Sequence, residues 1–314
     1  MKILVPDAYR GALPHIDDAD VVVIAAGEPV PEEHVDAEVL VVWGQPLDVL
    51  TDAARRMRHL RLVQGLLAGP DILRAAGFAP DVALASGVGL HDGPVAEHAL
   101  ALTLALVRML PLAMRRQREH AWDAVLGGAM LERAHDGRVI SLEGAQVTVW
   151  GFGSIASRLA PLLRGMGAWV TGVARSAGPR HGFDVVAEDS LPEVLGRTDV
   201  LIMILPRDES THAALNAKRL AQLKPSALVV NVGRGTTVDE DALLAALRSG
   251  HVAGAALDVT AVEPLPESSP LWDEPSVIIT PHVASGRPQR AERLIEANVA
   301  ALREGGDITN LMAR

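Results

Sequence analysis

The sequence predicts an α/β protein built as two lobes, each a parallel sheet flanked by helices. Three observations carry that prediction. Short β-branched runs recur along the chain with helical stretches between them, the pattern of parallel α/β architecture. The runs fall into two series, one before and one after a long helical pattern from about Pro94 to Ala121. A chain of 314 residues also has room for two domains of ordinary size.

In the first series the expected strands are "KILV", "DVVVIA", "EVLVVW", "LRLVQ" and "VALAS". The second series starts at residue 146 with "QVTVW" and continues through "WVTGV", "VLIMIL", "ALVVN", "VAGAALDV" and "SVIIT". Helix signals fall between them. Ser190 with Glu193 and Thr237 with Glu240 read as capping boxes, and Gly250 stands where a helix should end. The closing stretch "RPQRAERLIEANVAALREGG" has helical periodicity and follows the last strand of the second series. Packed back on the first lobe, it makes that lobe discontinuous. The expected division is 1–98 completed by 286–314, with 99–285 as the second lobe. No internal repeat or low-complexity linker interrupts this plan.

Composition narrows the function classes. Apolar residues make up 49% and charged residues 22%, enough for packed cores and a solvated surface. A formal net charge of −10 argues against nucleic acid or an anionic membrane as partner, since both require clustered cations. There is no cysteine, which excludes disulfides and thiol chemistry. The start "MKILVPDAYR" has one apolar burst, broken by Pro6 and Asp7 and too short for a signal-peptide core. The run from Ala99 to Val107 stops at Arg108 and is too short to span a bilayer. The expected location is the cytoplasm. His91 and His98 are separated by a glycine-proline turn and lack ligand spacing, so no metal is expected.

"GFGSIA" follows a strand and opens a helical pattern, the context a dinucleotide-binding turn requires. Gly151 permits the tight turn, and Gly153 lets the backbone N–H groups of Ser154 and Ile155 approach a pyrophosphate. Ala156 replaces a third glycine that only sets helix–strand packing. Methyltransferases use similar turns, so this motif leaves the cofactor class open. About twenty residues on, an NAD site places an acid on the ribose hydroxyls. Here the strand ends in Ala174, Arg175 and Ser176. A cation beside a hydroxyl donor suits a 2′-phosphate, so NADP is expected in preference to NAD.

Three polar residues follow later strands of the second series. Arg234 lies in "VVNVGRGTTVDE", Glu263 in "ALDVTAVEPLP" and His282 in "VIITPHVASG". In an open parallel sheet, ligands bind at the carboxyl ends of strands. Arg holds a carboxylate bidentately. His, titrating near ~6.5 when unperturbed, moves a proton at neutral pH. A Glu beside it favours the charged imidazole and orients the ring. Together they suit reduction or oxidation of an α-keto or α-hydroxy acid. A methyltransferase leaves all three unexplained.

At these residues the chain resembles the D-isomer-specific 2-hydroxyacid dehydrogenases, which include glyoxylate/hydroxypyruvate reductases and phosphoglycerate dehydrogenases. The resemblance runs from about residue 60 to the end. It is densest in "GFGSIA", "LPRDESTHAALNAKRLAQLKPSALVVNVGRG", "AALDVTAVEPLPESSPLW" and "TPHVASG". It implies two Rossmann-like or flavodoxin-like lobes with the cofactor in the cleft between them, and a homodimer joined through the long central helix. It implies that Arg234 binds the substrate carboxylate and carbonyl, that His282 is the acid–base and that Glu263 is its partner. Asp258 is expected near the nicotinamide amide, Pro206 and Thr211 on the cofactor cleft, and Ala68 and Gly69 in the substrate loop.

The chain departs from the family at Pro70 in "LLAGPD", which removes a backbone donor. It departs again at Ser86, His91 and Asp92, which make the loop before "VAEH" polar; both loops are expected to contact the substrate side chain. Certain transcriptional corepressors share the resemblance. A dinucleotide-sensing interaction protein is therefore the alternative to a 2-ketoacid reductase.

Overall fold

A computed structural model of the chain describes residues 1–127, 133–134 and 136–313. The chain forms two compact units, residues 1–91 with 286–314 and residues 92–285. The boundary expected at 98/99 falls inside a helix, Asp92–Val107, that belongs wholly to the second unit.

The first unit holds strands β1 (Lys2–Pro6), β2 (Asp20–Ile24), β3 (Val39–Val42), β4 (Leu62–Gly65) and β5 (Ala83–Ala85). They pair in parallel in the order β2-β1-β3-β4-β5. Alternate side chains enter opposite cores. Leu4, Leu40, Val42 and Val63 pack with Leu50 and Ala53 of α1 (Leu47–Arg56) and Leu73 of α2 (Asp71–Ala75). Ile3, Val5, Val39, Val41 and Leu62 face Ala291, Ile295 and Val299 of the C-terminal helix Ala291–Glu304. Burial on both faces is why β1 and β3 read as unbroken apolar runs. The three helix residues recur every fourth position and form one stripe, so this helix packs on the first unit. Fully burying Ile295 and Val299 stabilises it by about 1.5–3 kcal/mol each.

The second unit opens with α3 (Asp92–Val107) and α4 (Leu110–Arg118). One continuous helix was the expectation; the two instead meet at 62°. Met109 between them is left-handed at φ 52°, and Pro111 has no N–H to offer the Val107 carbonyl, so the helix restarts there.

Seven strands follow: β6 (Gln146–Trp150), β7 (Trp169–Ala174), β8 (Val185–Ala187), β9 (Val200–Met203), β10 (Ala227–Asn231), β11 (Val252–Leu257) and β12 (Val277–Ile279). All pair in parallel, in the order β12-β11-β10-β9-β6-β7-β8. Six match the expected runs; β8 is an additional edge strand whose short run lies between Asp184 and Glu188. The order reverses between β6 and β9, the switch point where such sheets open a crevice at the strand carboxyl ends.

Two layers of helices cover this sheet. Val147, Val149, Ile202 and Val230 pack with Ala99 and Leu102 of α3 and with Ala156 and Leu159 of α5 (Ser154–Gly165). Leu201, Met203 and Val229 face the other core. There they meet Leu191 of α6 (Leu191–Leu195), Leu220 of α7 (Ala217–Leu220) and Leu243 of α8 (Glu240–Arg248).

Neither expected capping box forms. Ser190 has helical dihedrals (φ −86°, ψ −2°), not the extended backbone of a cap, and its side chain caps nothing. The Thr237 hydroxyl turns back to the Arg234 carbonyl, and Asp239 caps α8 instead, accepting from the Ala242 N–H at 3.0 Å. A reciprocal box does close between Asp208 and Thr211. Gly250, at φ 75°, follows the end of α8 as expected.

Candidate active site

β10, β11 and β12 lie side by side, so their carboxyl ends present Arg234, Glu263 and His282 from three adjacent strands. Behind Arg234, the Asn231 side chain closes a turn on itself: its Oδ1 accepts from the Gly233 N–H and its Nδ2 donates to the Arg234 carbonyl. Nη1 of Arg234 donates to the Gly233 carbonyl at 2.8 Å. Gly235 is dictated by close approach, since a Cβ there would overlap the Thr260 carbonyl carbon. The Arg234 loop is thereby seated on the loop that carries Glu263.

Glu263 and His282 are brought together, with Oε2 2.7 Å from Nδ1. An ionised carboxylate only accepts, so Nδ1 carries the proton and Nε2 is left for chemistry. The other oxygen, Oε1, accepts from the Thr260 N–H at 3.0 Å, which fixes the carboxylate in orientation. The His282 side chain is 39% exposed, so its outer nitrogen is reachable from solvent. Both residues border a cavity of about 380 Å³ walled by Leu265, Trp272 and Ile279. Glu240 of α8 steadies the same loop by accepting from the Ala261 N–H at 2.6 Å. Burial pushes its carboxyl above the ordinary range; that N–H opposes the rise, and the charges of Asp241 and Glu263 add to it.

His282 is held at φ 52°, a left-handed conformation uncommon outside glycine. Asp258, 2% exposed, sits beneath it. Its Oδ1 accepts from the Thr280 hydroxyl (2.6 Å) and the Val283 N–H (3.0 Å), and its Oδ2 from the Ala284 N–H (3.1 Å). The structure thus gives Asp258 a part in building the histidine turn that the sequence reading had not assigned.

At the other side of the switch point, Gly151 follows β6 at φ 99°, where a Cβ would stand 2.5 Å from the Ile204 carbonyl oxygen. Gly153 is the N-cap of α5, no side chain caps this helix, and the space at its Cα is open. The first N–H groups of α5, Ser154 and Ile155 among them, have no partner within the helix. Together with the helix dipole they suit an anion. The Ser154 hydroxyl donates to Asp92 of α3 at 3.0 Å.

β7 ends at Ala174, and Arg175 and Ser176 beyond it are exposed. Arg180 was not singled out from sequence. Its Nη2 donates to the Ser176 hydroxyl and carbonyl, both at 2.8 Å, and its Nη1 to the Phe152 carbonyl of the glycine turn at 3.2 Å. After β9, the Thr211 hydroxyl donates to the Pro206 carbonyl at 2.8 Å and closes the turn that holds both. An uncapped helix start beside a cationic strand end fits a nicotinamide dinucleotide: N–H groups for its pyrophosphate, Arg175, Ser176 and Arg180 for its ribose end.

Ala68 and Gly69 lie in the first unit, in the loop between β4 and α2, half-buried. Pro70 precedes α2 directly. The polar residues of the loop before "VAEH" have partners within the scaffold. His91 is buried (2% exposed), stacks on Trp43 and places Nε2 2.7 Å from the Leu66 carbonyl. Ser86 is buried and accepts from Gln64 Nε2 through its carbonyl at 3.2 Å. Asp92 is engaged by Ser154.

Comparison with known proteins agrees with this geometry. The family described as D-isomer specific 2-hydroxyacid dehydrogenase, NAD binding domain, matches residues 100–284. Glyoxylate/hydroxypyruvate reductase A of Salmonella paratyphi B is 31% identical over 290 residues, 88% of this chain and 86% of that protein. A D-isomer specific 2-hydroxyacid dehydrogenase from Xanthobacter autotrophicus, solved with NADPH and MES, is 33% identical. It superposes with a TM-score of 0.79 over 95% of this chain and 90% of that one. An NADPH-dependent glyoxylate/hydroxypyruvate reductase from Sinorhizobium meliloti, solved with NADP and sulfate, is 26% identical. Its TM-score is 0.81, over 99% and 97% of the two chains. With these matches and an Arg, a Glu–His pair and a glycine turn around one sheet, the chain belongs to the D-isomer specific 2-hydroxyacid dehydrogenases, NAD(P)-dependent oxidoreductases.

Proposed function

We propose that this protein reduces a small 2-ketoacid of the glyoxylate or hydroxypyruvate type to the D-2-hydroxyacid, with NADPH preferred over NADH. The observation that carries the reading is the His282–Glu263 contact at 2.7 Å beside the Arg234 loop. The bound cofactor supplies the hydride. Arg234 forks its guanidinium onto the carboxylate of the ketoacid and polarises the carbonyl. His282, doubly protonated, gives the Nε2 proton to the oxygen that develops negative charge, and Glu263 stabilises the charged ring until that moment. Running the steps backwards oxidises the hydroxyacid, with His282 as base. Asp258, Pro206 and Thr211 border the cofactor, and Ala68 and Gly69 contribute backbone to substrate binding. The corepressor-like alternative is not favoured by relatives that are reductases and dehydrogenases.

The test is a panel of 2-ketoacids with each reduced cofactor. Turnover of glyoxylate or hydroxypyruvate is expected, and Arg234→Lys should raise KM for the ketoacid and lower kcat, about tenfold in kcat/KM, because an ammonium cannot form the two-point contact. Cofactor binding without turnover of any 2-ketoacid would reject the reading.

The reading includes a homodimer and a cytoplasmic site of action, where a reduced dinucleotide is available. Leu110 and Met114 of α4 and Trp122 just beyond it are exposed, Trp122 at 99%. An apolar strip on the helix expected at the interface supports self-association. Light scattering on a gel-filtered sample should give twice the 33.2 kDa of one chain, and Trp122→Asp should shift the protein towards that single-chain mass. A wild-type mass of one chain would refute the dimer.

A further inference from the structure

His98 lies on α3, 182 residues before Thr280, yet its Nε2 is 3.0 Å from the Thr280 Oγ1 and 3.2 Å from Asp258 Oδ1. The direction of each hydrogen bond follows from counting protons. Asp258 is an acceptor, and it takes the single hydroxyl proton of Thr280 at 2.6 Å. Thr280 Oγ1 then has only lone pairs to offer His98, so Nε2 of His98 carries a proton shared between the two oxygens. The Asp258 side chain is 1% exposed and that of His98 22%, so water does not readily replace this donor.

The same carboxylate holds the N–H groups of Val283 and Ala284, the two residues after His282. The N–H of His282 itself goes to the carbonyls of Asp258 (2.8 Å) and Thr280 (3.0 Å). Among the described residues, the backbone N–H groups of His282, Val283 and Ala284 therefore all go to Asp258 or Thr280, and the His98 side chain ties both to α3. The core helix α3 packs Ala99 and Leu102 next to this residue into the interior of the unit, which makes it a rigid support.

We propose that His98 is a positioning residue for the reaction. Its Nε2–H locks Thr280 and Asp258 in the arrangement that keeps His282 left-handed and its Nδ1 on Glu263. The proposal rests on His282 being the acid–base. It predicts a role in kcat and none in substrate capture, because Arg234 is held by a separate set of contacts from Asn231 and Thr237.

The test compares His98→Leu, Thr280→Val and His98→Gln by steady-state kinetics with glyoxylate or hydroxypyruvate and by NADPH fluorescence titration. Loss of a hydrogen bond to a charged group corresponds to about a tenfold fall or more in kcat for His98→Leu and Thr280→Val. The ketoacid KM should stay within about twofold, since the contacts that hold Arg234 are not touched, and any loss of NADPH affinity through Asp258 should be smaller than the fall in kcat. His98→Gln restores an N–H donor and should recover much of the rate. An unchanged kcat in His98→Leu would overturn the proposal. So would parallel losses in kcat, KM and melting temperature that His98→Gln does not rescue. Should His282→Asn itself leave turnover intact, the acid–base reading fails first. A strong His282 effect with a silent His98 defeats the positioning role alone.

Discussion

Replacing His282 with Asn is expected to lower kcat for 2-ketoacid reduction about 10²–10⁴-fold, the usual contribution of general acid–base catalysis, with NADPH affinity retained. Asn is close in size and keeps a polar side chain near Glu263, but it has no proton to transfer at neutral pH. The turn itself should survive, because it is built from backbone N–H groups on Asp258 and not from the imidazole. Glu263→Gln separates the two members of the pair. An amide still bonds to the ring yet no longer favours its charged form. Reduction uses that charged form, so kcat in the variant should fall about tenfold or more, the loss of one hydrogen bond between charged groups, with NADPH affinity retained. An unchanged kcat in Glu263→Gln would leave the carboxylate no part in the proton transfer. Unchanged turnover in His282→Asn would remove the mechanism.

The elements most legible in the sequence are those whose physics is periodic and local. Val229 and Val230 stand in a five-residue run that is buried on both faces, and such a run has no other stable home than a covered parallel strand. Ala291, Ile295 and Val299 announce a helix stripe without any tertiary information. β8 was missed because its run holds only two β-branched residues between the charged Asp184 and Glu188, and the bend after Val107 because an apolar pattern continues straight through Met109.

Site residues divide in the same way. Arg234, Glu263 and His282 each lie within a few residues of a strand end, so strand prediction alone placed them on one edge. His98, Arg180 and Asp92 were not assigned because their roles depend on partners 182, 28 and 62 residues away. Arg180 had a signal that could have been used, a second arginine close behind Arg175 in the same loop.

That second arginine sharpens the remaining prediction, a preference for NADPH over NADH. An NAD site bonds the ribose hydroxyls through a carboxylate at the end of the second strand. β7 ends instead in Ala174, so neither that bond nor its repulsion of a 2′-phosphate is present. Arg175 is exposed, and its guanidinium makes no hydrogen bond among the described residues. Arg180 differs, because it is tethered to the Phe152 carbonyl and to Ser176 and so holds its charge beside the glycine turn before any ligand arrives. Hydrogen bonds to charged groups contribute about 1.5–3 kcal/mol, which corresponds to roughly 10- to 150-fold in kcat/KM if spent on the phosphate. Arg175→Ala should remove most of the preference and leave NADH kinetics alone. Arg180→Ala should weaken NADPH more than NADH but affect both, since its contact with Phe152 supports the turn that either cofactor uses. Ala174→Asp combined with Arg175→Ala should reverse the order. Equal kcat/KM for NADPH and NADH in the wild type would overturn the assignment, whatever the variants do.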